Sequence, residues 1–288
     1  PLRAAGPRAL GAAWAPAVGG LARSAQPAVC VQQRARSESA RIFEGLKANK
    51  EGLSKELDTV LRSSHDMRVF GAGFLRSCAS RAEYGHFMLA HYHFYAALEA
   101  ALDAQGPDAA AGRLWRACPE LRGAPAKLGA DLGQVGIDAA ASEPSPATAA
   151  YAASIRRAAA ADGGLPLISH FYTRYLADLF GGSMLAMPTR AALGLPEGAP
   201  SFYSFPAAVE SRRGEYIEHV YASINVEGEH LGAEDRARLV DEARVAFAHN
   251  AAVYSERPLF YAGAALGSVN ILGGLVRQRV LGAAVPSS

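Results

Sequence analysis

Apolar residues recur every three or four positions through the middle of this 288-residue chain. Leu53, Leu57 and Leu61 form one such run, and the same spacing returns repeatedly between residues 41 and 257. This spacing places apolar side chains on one face of a helix. No stretch of useful length alternates apolar and polar residues, as a half-buried strand does. The pattern therefore predicts an all-α domain over residues 41–257.

The same pattern locates individual helices and the breaks between them. Residues 84–99 are apolar on every side, which predicts a helix that is buried all round. Proline and glycine collect at residues 136–146 and 195–200, where we expect loops. We expect Pro188 to end a helix that starts near residue 166, because proline lacks the N–H that continues a helix.

The C-terminal segment, residues 258–288, opens with a long apolar run. Residues 258–276 carry no charge, and this length is at the lower limit for a membrane-spanning helix. Gly263 and Gly267 form a GxxxG pair that allows close helix contact. Asn270 and the four glycines weaken the case for a span. Membrane contact by residues 258–276 stays possible, but the sequence favours a helix packed on its own domain or on a partner.

Composition narrows the classes of function. The net charge is only +2, from 29 Lys and Arg against 27 Asp and Glu. Nucleic-acid binding usually needs a clustered basic surface, so we expect no nucleic-acid partner. The three cysteines, Cys30, Cys78 and Cys118, have no metal-binding spacing and are interpreted as free thiols.

The first 37 residues have a composition of their own. They contain five arginines, no lysine and no acidic residue, among mostly small and apolar residues. This composition is typical of an organelle-import segment and predicts a mitochondrial protein with residues 1–40 as leader remnant or extension. A low-complexity tail is the alternative. Ala, Gly and Pro bury little area, so we expect any order in residues 1–40 to come from contacts with other protein subunits.

The most informative stretch for chemistry is residues 170–183, HFYTRYLADLFGGS. Arg174 and Asp178 are four residues apart, so they can pair on one face of a helix. Glycine inside a helix costs about 1 kcal/mol relative to alanine, so Gly181 and Gly182 suggest that something approaches the backbone closely. A simple crossing of two helices would explain the glycines equally well.

This stretch resembles the distal helix of heme oxygenases, in which the family has a YTRYLGDLSGGQ pattern. The likeness continues in order through residues 53–250. His65 falls where the family keeps its proximal heme ligand. Further similar stretches are residues 86–102, Pro119-Glu120-Leu121, Leu195-Pro196 with residues 202–206, and Ala246-Phe247 with Asn250. The resemblance implies a heme oxygenase-like multi-helical bundle behind an N-terminal extension.

The resemblance also implies roles for individual residues. His65 would bind heme iron, as the only metal ligand, although a surface histidine is an equally good interpretation of its polar surroundings. Asp178, with Arg174, would orient the water that protonates iron-bound peroxide. Heme would then be cleaved to biliverdin, carbon monoxide and iron, with electrons from a reductase. The corresponding heme pocket would contain Tyr172, Ala177, Phe180, Gly181 and Gly182.

Three departures from the family pattern affect that pocket. Ala177 replaces a glycine and Phe180 replaces a serine, on the face that looks at heme in the family. A buried phenylalanine covers on the order of 200 Å², so we expect the pocket to be blocked. The third departure is the loss of cations that anchor the heme propionates, one of which, a lysine, is replaced by Asp58. The helix after residue 206 lacks the family's other cations, although Arg212 and Arg213 could partly compensate.

Three hypotheses remain. The one we favour is a non-catalytic accessory subunit of a mitochondrial membrane complex that holds no cofactor. The second is an active heme oxygenase with a rearranged pocket, in which Asp178 and Arg174 are catalytic and heme is the cofactor. The third and weakest is a heme carrier or sensor.

Overall fold

The computed structural model describes residue 42, residues 44–258 and residues 260–283. These residues fold into helices joined by turns, and the described part of the chain contains no strand, which confirms the predicted all-α class. The predictions for residues 1–40 lie outside the described residues. The α-helices are α1 (Gly52–Ser64), α2 (Met67–Ser77), α3 (Arg81–Asp103), α4 (Ala110–Ala117), α5 (Ala124–Gly133), α6 (Pro146–Ala160), α7 (Leu167–Phe171), α8 (Ala177–Leu193), α9 (Ala207–Ser211), α10 (Arg213–Glu229), α11 (Ala233–Ser255) and α12 (Phe260–Ala283).

The apolar helix predicted at residues 84–99 is the centre of the bundle. It is the middle part of α3, in which Met88, Phe94, Tyr95 and Leu98 have no solvent exposure. The Ser80 side chain caps its start by accepting a hydrogen bond from the backbone N–H of Glu83. Helices α5 and α6 pack on α3, while α10 and α11 pack on α1. The core is therefore built around a helix with almost no polar face.

A single π-helical turn, Tyr172–Leu176, joins α7 to α8. Such turns are rare and often occur at functional sites, because the wider turn redirects the side chains that follow. All five of its residues are buried. The turn therefore sets the direction in which α8, with Asp178 and Gly181, leaves the core.

The expected stop at Pro188 is wrong, because α8 continues through Pro188 to Leu193. A proline removes one N–H from the helix and crowds the preceding turn, and here the helical turns on both sides of Pro188 continue. The Thr189 hydroxyl also donates to the Leu185 carbonyl at 2.8 Å. The helix ends instead at Gly194, whose φ of 61° suits glycine.

The apolar C-terminal run forms α12, which packs against α2 and α8. Among the described residues, no single helix has the length and apolar composition needed to cross a membrane. The pair Ala233–Ser255 and Phe260–Val280 reaches that length and composition only when taken together, and the two helices meet at 76°.

Candidate functional site

His65 lies immediately after α1 rather than within it, at the C-cap position. Its backbone N–H still donates to the Leu61 carbonyl at 3.0 Å. The residue is exposed, but its ring stacks on Phe70 at 4.7 Å between centroids and meets the edge of Phe247 at 6.4 Å. Partial desolvation by this packing lowers the pKa of His65, against the opposing charge of Asp66. The imidazole is therefore neutral near pH 7, the form that ligates metals.

Asp178 lies in the first turn of α8 inside a buried polar network. It accepts a hydrogen bond from the Tyr95 hydroxyl, and its Oδ1 lies 3.9 Å from Arg174 Nη2. Arg174 Nη1 donates to Asn250 Oδ1 at 2.8 Å, and Arg174 Nε donates to the Tyr95 hydroxyl at 3.3 Å. The structure thus brings together the Arg174 and Asp178 that the sequence paired, and adds Tyr95 and Asn250.

Burial controls the chemistry of this network. Desolvation raises the pKa of Asp178 to about 6, although Arg174 and the Tyr95 hydrogen bond work against it. The Arg174 guanidinium also lies over the ring of Phe94, 4.6 Å from its centroid. Asp178 is therefore a carboxyl that can take up and release a proton near neutral pH, held in place by a buried cation.

The other pocket candidates on α8 differ in their surroundings. Ala177 is exposed, so its methyl group does not fill the core. A Cβ added to Gly181 would meet no atom within 4 Å, whereas one added to Gly182 would lie 3.6 Å from the Tyr203 ring. Phe180 is half-buried, and its ring lies 6.5 Å from that of Tyr221. The start of α8 therefore has space for an additional group beside Gly181, whereas the Phe180 ring fills the side toward Tyr221.

Asp58 is the centre of a second buried cluster, although it replaces a cation of the family pattern. It is only 2% exposed. Its Oδ1 accepts hydrogen bonds from the Tyr172 hydroxyl at 2.6 Å and the Tyr221 hydroxyl at 2.9 Å, and its Oδ2 accepts one from Asn49 Nδ2 at 3.2 Å. Burial raises the pKa of Asp58, and these donors oppose the rise. Tyr172, expected in the heme pocket, is therefore bonded to the protein's own carboxylate.

The expected compensating cations have local partners. Arg212 lies 3.6 Å from Glu215, and Arg213 pairs with Glu210.

Sequence reasoning missed Tyr95 and Tyr221 as members of the two clusters. Tyr95 lies in the apolar helix that resembles the family, so the motif contained a signal for it, whereas nothing near Tyr221 pointed to Asp58.

Comparison with known proteins identifies the family of the chain. The family model for heme oxygenase matches residues 51–256. Heme oxygenase 2 of Synechocystis sp. PCC 6803 is 31% identical over 185 residues, which cover 62% of this chain and 70% of that protein. Heme oxygenase 1 of the same organism is 36% identical over 107 residues, and this match covers 37% of the chain and only 42% of that relative.

A solved structure extends the likeness over the fold. The crystal structure of heme oxygenase-1 from Synechocystis sp. PCC 6803, in complex with heme, superposes with a TM-score of 0.62 at 25% identity. The superposition covers 80% of this chain and all of that one. With the family model matching most of the chain, from α1 through α11, this protein belongs to the heme oxygenase family.

Proposed function

We propose that this chain is a non-catalytic member of the heme oxygenase family that serves as a structural accessory subunit of a mitochondrial membrane complex. The observation that carries the proposal is the buried Asp58 cluster. A carboxylate accepts two tyrosine hydroxyls at the place where, by the family pattern, a cation would bind a heme propionate. The residues at this end of the site do not fit heme.

The physical argument rests on charge and hydrogen-bonding capacity. A propionate brought beside Asp58 would meet a second carboxylate in a region shielded from water, where like charges repel strongly. The hydroxyls of Tyr172 and Tyr221 each have one hydrogen to donate, and Asp58 already accepts both. Phe180 adds a large ring on the side of α8 that approaches Tyr221. Together these side chains offer a heme propionate neither an attracting positive charge nor a hydrogen-bond donor that is not already used.

Two further features support an accessory role. The arginine-rich, acid-free composition of residues 1–37 is that of an import segment. The outer face of α12 displays large apolar side chains, and such a surface usually marks an interaction site. We expect removal of residues 1–40 to leave the helical domain folded and to release it from the complex. Co-purification of the truncated chain with the complex would argue against this role.

Heme titration tests the absence of a cofactor. The purified chain should develop no Soret band with His65-ligated iron. A triple variant, Asp58→Lys with Ala177→Gly and Phe180→Ser, should gain one, provided that circular dichroism shows it to be folded. A stoichiometric Soret band in the unmodified chain that disappears in His65→Ala would overturn the proposal.

An active heme oxygenase is the second candidate, and the network around Asp178 favours it. Bound heme would supply the iron at which oxygen is reduced. Neutral His65 would hold that iron, Gly181 leaves space beside α8, and Asp178 with its pKa of about 6 could hold a proton there. Production of biliverdin from heme, oxygen and a reductase, abolished by Asp178→Asn, would establish this function. We expect no biliverdin.

A further inference from the structure

Helix α12 has two unlike faces. The face toward the domain approaches neighbouring backbone so closely at two glycines that no side chain would fit there. A Cβ on Gly267 would lie 1.6 Å from the Leu75 carbonyl oxygen, and one on Gly274 would lie 1.8 Å from that of Ala191. The opposite face carries six large apolar side chains that are 52–67% exposed: Tyr261, Leu266, Val269, Leu272, Val276 and Val280. The described residues contain only two other large exposed apolar side chains, Val226 and Val245.

These six side chains form a continuous stripe. Their spacing keeps them within one side of a helix with about 3.6 residues per turn, and the stripe from Tyr261 to Val280 is about 28 Å long. Exposed Ala262, Ala265 and Gly273 fill the intervals without adding a polar group. A contiguous apolar surface of this size is uncommon on a monomer and marks a surface that another molecule covers.

The geometry points to one occupant. We propose that the outer face of α12 docks on an anionic lipid surface, with the helix lying parallel to the membrane plane. The chain from Arg257 to the end of α12 contains no acidic residue, and Arg277 and Arg279 are both exposed. These two arginines lie about 160° apart around the helix, one at each edge of the stripe. Their side chains can therefore reach lipid phosphates while the stripe enters the acyl boundary.

The packing of α12 explains why it would lie on the membrane instead of crossing it. Asn270 Nδ2 donates to the carbonyls of Cys78 at 3.1 Å and Ala79 at 2.8 Å. Crossing a bilayer would break these bonds and the close glycine contacts with α2 and α8. Tyr261, at the start of the stripe, has the apolar ring and polar tip that suit the membrane–water boundary. A parallel orientation keeps every one of these interactions.

A second copy of the chain is the competing occupant, and the charges disfavour it. Two α12 stripes placed face to face would bring four arginines to the edges of the contact. Helix α12 offers no carboxylate to pair with them. Lipid phosphates would provide those partners.

Vesicle flotation of the full-length chain tests the inference. The protein should float with vesicles of phosphatidylcholine and phosphatidylserine, and more weakly with phosphatidylcholine alone. Val269→Glu with Leu272→Glu should abolish flotation. Val226→Glu is the matched control, because Val226 is 53% exposed on another helix, and it should float normally. Arg277→Gln with Arg279→Gln should weaken binding to the anionic vesicles by about 30-fold, from about 1 kcal/mol for each arginine.

The outcomes separate the two occupants. Flotation that survives Val269→Glu with Leu272→Glu in a variant of unchanged helicity would overturn the inference. A second result would also overturn it. The wild-type chain would bind neither kind of vesicle and would form a dimer in light scattering, and Val269→Glu with Leu272→Glu would dissociate that dimer. The lipid contact does not depend on whether heme binds, so the heme titration and the flotation assay fail independently.

Discussion

At the scale of residues, half-buried Asp178 and buried Asp58 have different hydrogen-bonding and charged partners. Asp178, for which the resemblance predicts a catalytic role, has the buried Arg174 beside it. Asp58, which the resemblance places at the position of a cation, accepts hydrogen bonds from two tyrosines of distant elements. Burial raises the pKa of both, but their neighbours differ. One carboxyl is therefore paired with a buried cation, and the other is enclosed by uncharged donors from the protein's own core.

The raised pKa of Asp178 predicts a specific pH dependence of stability. Its folded pKa of about 6 exceeds the ordinary aspartate value of 3.8, so the folded state binds the proton more tightly. This stabilisation is complete below about pH 4 and is lost as the pH rises through 6. Between about pH 4 and 7, the free energy of unfolding of the wild type should fall by about 2 kcal/mol relative to Asp178→Asn.

Urea unfolding at several pH values measures this difference. Asp241→Asn is the control for removing a carboxylate elsewhere in the fold, because the Asp241 side chain is 73% exposed. Parallel curves for the wild type and Asp178→Asn would show that Asp178 titrates in the folded state as it does in the unfolded chain.

The residue scale also shows what the sequence could reveal of the site. The Arg174–Asp178 pair was predictable because four-residue spacing on one helix is a local property. The Asp58 cluster was not, because Tyr172 and Tyr221 are 114 and 163 residues away along the chain. A substitution interpreted from sequence as a repulsive charge is, in the fold, a buried acceptor with three donors.

At the scale of elements, the helices followed from periodicity more reliably than their ends did. The buried helix α3 was predictable because all of its faces are apolar over four turns. The end of α8 was not, because the effect of Pro188 depends on the surrounding hydrogen bonds and on packing against α12. The GxxxG pair of α12 indicated close contact, but only the fold shows that this pair meets α2 and that Gly274 meets α8.

The glycines of α12 allow a matched test of this contact. Gly267→Ala would place a methyl group against the Leu75 backbone, which cannot move away as a side chain can. We therefore expect the free energy of unfolding to decrease by about 3 kcal/mol. Gly273→Ala on the same helix meets no atom within 4 Å and should stabilise by about 0.5–1 kcal/mol, since alanine favours the helix. Urea unfolding of both variants measures the difference, and similar effects of the two would contradict the close packing of α12 on α2.

At the scale of the whole molecule, α12 connects the C-terminal segment to the site. It packs on α2, which follows His65, and on α8, which begins beside Asp178. The N-terminal half of α8 faces the candidate site, and its C-terminal half touches α12 through Ala191. One helix therefore supports both elements that flank the site, and it does so with its small-residue face while its apolar stripe points outward.

Removal of α12 should therefore loosen both of these helices and leave the centre of the bundle intact. A chain ending at Arg257 loses the Asn270 hydrogen bonds and exposes the surfaces of α2 and α8 that α12 covers. We expect faster amide hydrogen exchange in α2 and in residues 184–193, and unchanged exchange in α3, which packs on α5 and α6. A decrease of about 3 kcal/mol in the free energy of unfolding would lower Tm by roughly 6–12 °C. Full-length Leu272→Glu is the control, because Leu272 is 59% exposed and its change leaves the packed face of α12 untouched. If the truncated chain and this control showed the same exchange in α2 and α8, α12 would not stabilise these two helices, and the rest of the bundle would position the candidate site without it.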